Sequence, residues 1–286
     1  MTYPIDHRTV GVDWLTATCT DPSLAERLAD LAFQASLRLT ERGWMQRPWA
    51  WRGYHGFSLA GMRYGKRDDG CIVVVSGEEA RKGWHEVLHF ATNVTRLDLA
   101  VTFHLSKPYP EVARICYEYL AAIADDDRHL PFERFSWITD HQRAETLYVG
   151  SRRSDQFGRL YDKGLESGSA SAPGSAWRYE VEYKGRMALA CARLLYSDYL
   201  ADQDVNRRIA STVSDWFERR YVPCYGEHWA EPYTVDVEAR VTDVDAKLIW
   251  LSRQVAPTIK RLFRAGVHRQ RVEEALGLLD QARHKP

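Results

Sequence analysis

The chain has 286 residues, 45% of them hydrophobic and 27% charged, and its 39 Lys and Arg balance 39 Asp and Glu. That length and apolar content can bury a proper core, as one large domain or as two small ones with a tail. No apolar run approaches the roughly 18 residues that a bilayer span requires, and the opening MTYPIDHRTV has neither the basic segment nor the apolar core of a signal peptide, so the expected location is the cytoplasm, with no membrane partner.

In chain order, TVGVDWLTAT (9–18) reads as a strand. A helix follows, with Asp21 as N-cap, Pro22 at its first position, an apolar stripe of Leu24, Leu28, Leu31 and Ala35, and Gly43 as its stop. Short β-like pieces lie around 49–65 and 71–77, and 79–89 reads as a helix. TRLDLAVTF (95–103) is a strand, and the helix begun by Pro110 buries Val112, Ile115, Tyr119 and Ile123 before the acidic run 125–127. Strands are expected at 145–151 and 157–164, a flexible linker at 166–176, and the clearest strand of all at 177–185. Helical segments occupy 186–200, 203–221, 244–264 and 267–283. Hairpin-like pairs outnumber crossovers, which favours an α+β fold with antiparallel sheets, packed helices and a helical C-terminal region. Strand, helix, strands, helix recurs in both halves of the first 200 residues.

Cys19, Cys71, Cys116, Cys191 and Cys224 are odd in number and contain no C-x-x-C pair, so they read as reduced thiols, mostly in the core. From 247 to the end, nine Lys or Arg face three Asp or Glu. Such a tail, with Lys260, Arg261, Arg264, Arg269 and Arg271 on expected helices, suits phosphate binding or a plain solvated surface.

Three stretches could carry chemistry. In FGRLYDKGLE, a period of two puts Arg159, Tyr161 and Lys163 on one strand face and Leu160 and Asp162 on the other. A phenol between two cations is either an ordinary strand tyrosine or an activated one. In RLDLAV and RYEVEYK, Asp98 lies on the face opposite Leu97, Leu99 and Val101, and Glu180 and Glu182 share a face. These carboxylates suit Mg2+ or Mn2+, or form an exposed polar face. HEVLH puts His85 and His89 on one helical face, as a zinc peptidase would, but FATNVTRLD after it lacks the x-x-G-x-x-H continuation of one class.

LYVGSRRSDQFGRLYDKGLE followed by WRYEVEYKGRMA resembles the signature of the replication initiation factor family, the trans-acting rolling-circle Rep proteins of plasmids and filamentous phages and related conjugative relaxases. VDWLTAT, GYHGFS, VVVSGEEAR, VTRLDLAV and WLSRQVAPTIKRL extend the resemblance over nearly the whole chain. The resemblance implies a Rep/relaxase-like nuclease fold and a metal-dependent DNA nickase and strand transferase. Its nucleophile would be Tyr161, which becomes joined to a 5′-phosphate, with Lys163 neutralising charge. It further implies Mg2+ or Mn2+ on Asp98, Glu180 and Glu182; the expected DNA contacts are Arg152, Arg153, Arg159, Lys184 and, by their clustering, the five tail cations. Origin duplex or hairpin and single-stranded DNA would be partners, together with a host helicase and a second copy of the chain as a homodimer. Thr102 stands where the family pattern leads one to expect a second aspartate, which keeps a cleavage-deficient DNA-binding protein open as an alternative. Tyr148 is the rival nucleophile, although no cation lies two residues from it. The expected division is an N-terminal α+β subdomain (1–85), a catalytic subdomain (86–225) and a basic helical DNA-binding region (226–286).

Overall fold

A computed structural model describes residues 5–125, 135–140, 144–166, 172–222 and 256–275. The chain divides into two compact units, Met1–Asp236 and Val237–Pro286.

The first unit is built on one ten-stranded sheet in the order β2-β3-β4-β5-β1-β6-β10-β9-β8-β7. The strands are β1 (Ile5–Cys19), β2 (Arg47–Trp51), β3 (Tyr54–Leu59), β4 (Met62–Arg67), β5 (Gly70–Ser76), β6 (Asn93–Leu105), β7 (Phe135–Asp140), β8 (Ala144–Val149), β9 (Gln156–Asp162) and β10 (Ala176–Lys184). Every pairing is antiparallel, so the α+β expectation holds. The expected boundary at 85/86 falls inside a helix, and the sheet takes strands from both sides of it.

The helices among the described residues of this unit are α1 (Pro22–Glu41), α2 (Glu78–Phe90), α3 (Val112–Asp125), the short α4 (Lys163–Glu166), α5 (Gly185–Leu200) and α6 (Val205–Glu218). Asp21 caps α1 by accepting from the backbone N–H groups of Ser23 and Leu24, at 3.0 and 3.1 Å. α1, α2, α3, α5 and α6 supply apolar residues to one core with alternate strand positions, among them Leu15, Leu97, Leu99, Val101, Tyr179, Val181 and Leu160. Removing each such side chain from water contributes about 1.5–3 kcal/mol, so strand alternation fixes which face meets the helices. Tyr179 and Tyr183, both 2% exposed, lie on this core face. In α3 the buried residues are Val112, Ala113, Cys116 and Leu120, whereas Tyr119 is 48% exposed. The stripe therefore runs one residue beyond the expected Tyr119. β7 was not expected from the sequence; its exposed Ile138 and partly buried Trp137 show the weak alternation of an edge strand.

The strand registers repeat. Trp14 pairs with Ser76, Thr16 with Val74 and Val74 with Arg63 in the first half; Asp98 pairs with Glu182, Ala100 with Glu180 and Glu180 with Arg159 in the second. The order of strands is the same outward from the central β1–β6 pair on both sides. Rotating the sheet half a turn about the Trp14–Asp98 pair thus carries β1 onto β6, β5 onto β10, β4 onto β9, β3 onto β8 and β2 onto β7.

In the second unit, α7 (Ala256–Arg264) and α8 (Arg269–Ala275) are described, and Val272 is buried. Cys224, the linker between 167 and 171, the acidic residues beyond Asp125, and the outer parts of the helical segments expected at 244–264 and 267–283 lie outside the described residues. Among the described residues no helix is long and apolar enough to cross a membrane. Cys19, Cys71, Cys116 and Cys191 are free and buried.

Candidate active site

Alternation sends Arg178, Glu180, Glu182 and Lys184 of β10 to the face away from the helical core, and the register sets them beside Thr102, Ala100, Asp98 and Arg96 of β6. On the other flank, Arg178 pairs with Tyr161 and Glu180 with Arg159. Three strands, β6, β9 and β10, thereby bring a tyrosine, three carboxylates and four cations onto one patch.

Tyr161 is 8% exposed, and its hydroxyl donates to Glu180 Oε2 at 2.9 Å. Glu180 Oε1 is held by the Arg159 guanidinium. Arg178 also hydrogen-bonds Tyr161; burial opposes its charge, but Tyr161, Asp13 and Glu180 together hold its pKa above the ordinary value. Arg178 is itself fixed by Nε donating to Thr102 Oγ1 at 2.8 Å and Nη1 donating to Asp13 Oδ1 at 2.7 Å. Thr102 therefore acts as a hydrogen-bond acceptor for the cation beside the phenol.

Asp98 is 1% exposed and receives both prongs of Arg96, at 2.9 and 2.6 Å, with Arg159 Nη2 at 3.3 Å. Burial pushes its carboxyl up to about 7, against the pull of Arg96. Glu182 pairs with Arg96 at 3.0 Å and Lys184 at 2.9 Å. Three carboxylates on adjoining strands are the right donor type for a hard cation. Among the described residues, however, no group of three His, Cys, Asp or Glu side chains is arranged to hold an ion. Arg96, Arg159 and Lys184 balance these charges instead.

Several expectations need adjusting. Lys163 does not extend the strand face of Tyr161, because β9 ends at Asp162 and Lys163 starts α4. The chain turns there because Asp162 accepts from the N–H groups of Gly164, Leu165 and Gly174. The Lys163 ammonium still lies 5.7 Å from the Tyr161 ring centroid. Tyr148 has no cation two residues away along the strand, but Arg152 sits 5.0 Å above its ring and Arg159 is its register partner. Arg152 also covers Phe157, which stacks on Tyr148 at 5.7 Å. Arg153 is exposed in the same loop. Lys184 is engaged by Glu182 and by the carbonyls of Arg152 and Ser154. Of the tail cations, Lys260 and Arg264 on α7 and Arg269 and Arg271 on α8 are exposed; the Arg261 side chain lies outside the described ones.

His85 and His89 do share a face of α2, but they pack on α5. The His85 ring lies 4.5 Å from that of Tyr199, and His89 Nδ1 is 2.6 Å from the Tyr196 hydroxyl. That arrangement serves helix packing and gives no support to a zinc peptidase.

Arg96, Arg178 and Asp13 were missed in the sequence. The period of two already places Arg178 beside Glu180 and Arg96 beside Asp98, and that signal could have found the first two. Asp13 lies at a register shift in β1, between Val12 and Trp14, where alternation fails as a guide.

A family model described as Replication initiation factor matches residues 92–276. No curated protein matches the sequence. One similar solved structure is titled "Structure of Rolling Circle Replication Initiator Protein from Geobacillus stearothermophilus"; it is 20% identical, with a TM-score of 0.48, over 67% of this chain and 80% of that one.

Proposed function

Since the chain belongs to the replication initiation factor family, we propose that it is a rolling-circle initiator that nicks one DNA strand with Tyr161 and later rejoins it. The observation that carries this reading is the hydroxyl of Tyr161 held between Glu180 and Arg178. A phenol has a pKa near 10 and needs help to attack at neutral pH. Glu180 Oε2 is placed to take the proton, and Arg178 to stabilise the phenolate. The Tyr161 oxygen then bonds to phosphorus, the P–O3′ bond breaks, and the departing 3′ oxygen takes a proton from solvent. The 5′-phosphotyrosine retains the energy of the cut bond, so the reverse attack by a 3′ hydroxyl reseals a strand without ATP.

Phosphoryl transfer depends mainly on positioning and charge stabilisation. Lys163 supplies a second positive charge near the ring. Arg159 holds Glu180, and its buried Nε–H has no partner among the described residues, which a phosphate oxygen would supply. A Mg2+ or Mn2+ ion bound by Asp98, Glu180 and Glu182 would polarise the scissile phosphate. Arg96 and Arg159 would have to yield their present pairs with these carboxylates to admit it.

We further propose the exposed cations of α7 and α8 as the duplex-binding surface, and Arg152 and Arg153 as contacts near the nick. The test of the main reading is peptide mapping of the conjugate formed with a single-stranded oligonucleotide of the encoding element in Mn2+. Tyr161→Phe should bind DNA, remain folded and form no adduct. An adduct on Tyr148, or one that persists in Tyr161→Phe, overturns the assignment.

A further inference from the structure

The half-turn that relates the two halves of the sheet carries the candidate active site onto a definite place in the first half. Arg159 falls on Arg63, Glu180 on Val74, Asp98 on Trp14 and Tyr161 on Gly65. The groups that would do chemistry are thus replaced by aromatic, aliphatic and small residues, while the arginine is kept. The absence of a side chain at Gly65 matters sterically: a Cβ there would lie 2.9 Å from the Trp49 ring. Glycine lets that indole settle onto β4.

What forms is a depression of about 610 Å3, lined among others by Trp14, Trp49, Trp51, Arg52, Arg63 and Arg96. Val74 in its lining belongs to a second small apolar cluster with Tyr54 and Ile72, against which Trp14 and Trp49 pack while staying partly exposed. Guanidinium groups alternate with the rings: Arg63 and Arg96 lie 5.2 and 4.6 Å from the Trp14 centroid, and Arg52 lies 4.6 Å from that of Trp51. Trp51 is 41% exposed. Arg52 occupies the tip of the β2–β3 hairpin with φ 50°, a left-handed conformation that favours Gly or Asn. The chain thus accepts a strained cation beside an exposed indole. The far wall is Glu182 and Lys184, which belong to the candidate active site.

Packing alone would account for Trp14 and Trp49, since they cover the Tyr54 cluster. It does not account for Trp51, which keeps 41% of its surface exposed, nor for a strained arginine above it. Indole faces interleaved with guanidinium groups match a strand of unpaired nucleotides, whose bases stack and whose phosphates need neutralising. We infer that this groove, from Trp51 and Arg52 to Arg96 and Lys184, holds unpaired DNA bases next to the scissile phosphate. The inference rests on the nickase reading for its substrate, but it concerns binding and not bond cleavage.

The experiment measures fluorescence anisotropy of labelled oligothymidylate with the full chain carrying Tyr161→Phe, and with Trp51→Ala, Trp51→Tyr or Arg52→Ala added. These are surface positions, so the variants should fold, which circular dichroism checks. Removal of one stacking ring should weaken single-strand binding about 5- to 150-fold, Trp51→Tyr should restore most of it, and Arg52→Ala should weaken it further in low salt than in high salt. Binding of a blunt duplex should be unchanged by Trp51→Ala, because its bases are not free to stack. Unchanged single-strand binding in Trp51→Ala overturns the groove, as does an equal loss for duplex. Neither result touches the nucleophile: adduct mapping in the unsubstituted chain decides Tyr161 separately, so the two ideas fail independently.

Discussion

Thr102 Oγ1 accepts a hydrogen bond from Arg178 Nε at 2.8 Å, and Arg178 in turn meets the hydroxyl of Tyr161. The residue that departs from the expected family pattern thus orients the cation beside the proposed nucleophile. A buried hydrogen bond to a charged group contributes about 1.5–3 kcal/mol. Thr102→Val keeps the shape but removes the acceptor, so the rate of covalent adduct formation should fall about 10- to 100-fold. Thr102→Ser should recover it. Single-turnover adduct formation on one oligonucleotide, with all variants compared, decides the matter. Equal rates for Thr102→Val and the unsubstituted chain would make Thr102 a bystander.

Glu180 carries two proposed roles, proton acceptor and ion ligand, and a response to pH tells them apart. Glu180→Gln keeps an oxygen near Tyr161 and Arg159 but cannot take the phenolic proton, and it should lower adduct formation about 100-fold or more. Raising the pH should partly rescue this variant, because hydroxide can then remove the proton. A defect that does not change with pH would point away from general-base action.

Asp98→Asn and Glu182→Gln probe the ion. If these groups hold Mg2+ or Mn2+, cleavage should drop by roughly 100-fold, because an ion that polarises a phosphate supplies several kcal/mol. The Mn2+ concentration at half-maximal cutting should rise, and single-strand binding should change little. Cleavage at full rate in chelator by the unsubstituted chain would remove the ion from the mechanism.

Gly158 immediately precedes Arg159 on β9, and the Trp216 ring of α6 lies directly over it. A Cβ there would come within 2.1 Å of Trp216 Cζ3. Trp216 has little freedom to move, since its Nε1 donates to Gln156 Oε1 at 2.9 Å and Arg220 stacks on it at 3.9 Å. Gly158→Ala should therefore destabilise the first unit by about 1–3 kcal/mol, a fall of about 2–10 °C in Tm. Calorimetry measures it. A shift of less than a degree would mean that α6 yields easily.

The basic helices α7 and α8 are tested by salt. Replacing Lys260, Arg264, Arg269 and Arg271 with Ala should weaken duplex binding and flatten its log-log salt slope by about 0.9 for each phosphate that the protein no longer neutralises. Cutting of a single-stranded oligonucleotide should persist. An unchanged slope would leave these cations as a solvated surface.

Periodicity along β6 and β10 was enough to determine which face of each meets the core. Leu97, Leu99 and Val101 alternate with Arg96, Asp98 and Ala100, and burial of apolar side chains leaves no other choice. Local chemistry likewise determined the Asp21 cap and the grouping of Glu180 with Glu182. Pairing between strands far apart in sequence could not be read this way, because register depends on which strands meet. Only the tertiary structure sets Arg178 against Thr102 and Tyr161, brings Arg96 and Arg159 between the carboxylates, and turns Lys163 off the strand. The same holds for the half-turn relation between Tyr161 and Gly65, for their identities differ while their register positions agree. Backbone hydrogen bonds repeat regardless of side chain, so a repeated framework persists where the side chains at matching positions have nothing in common.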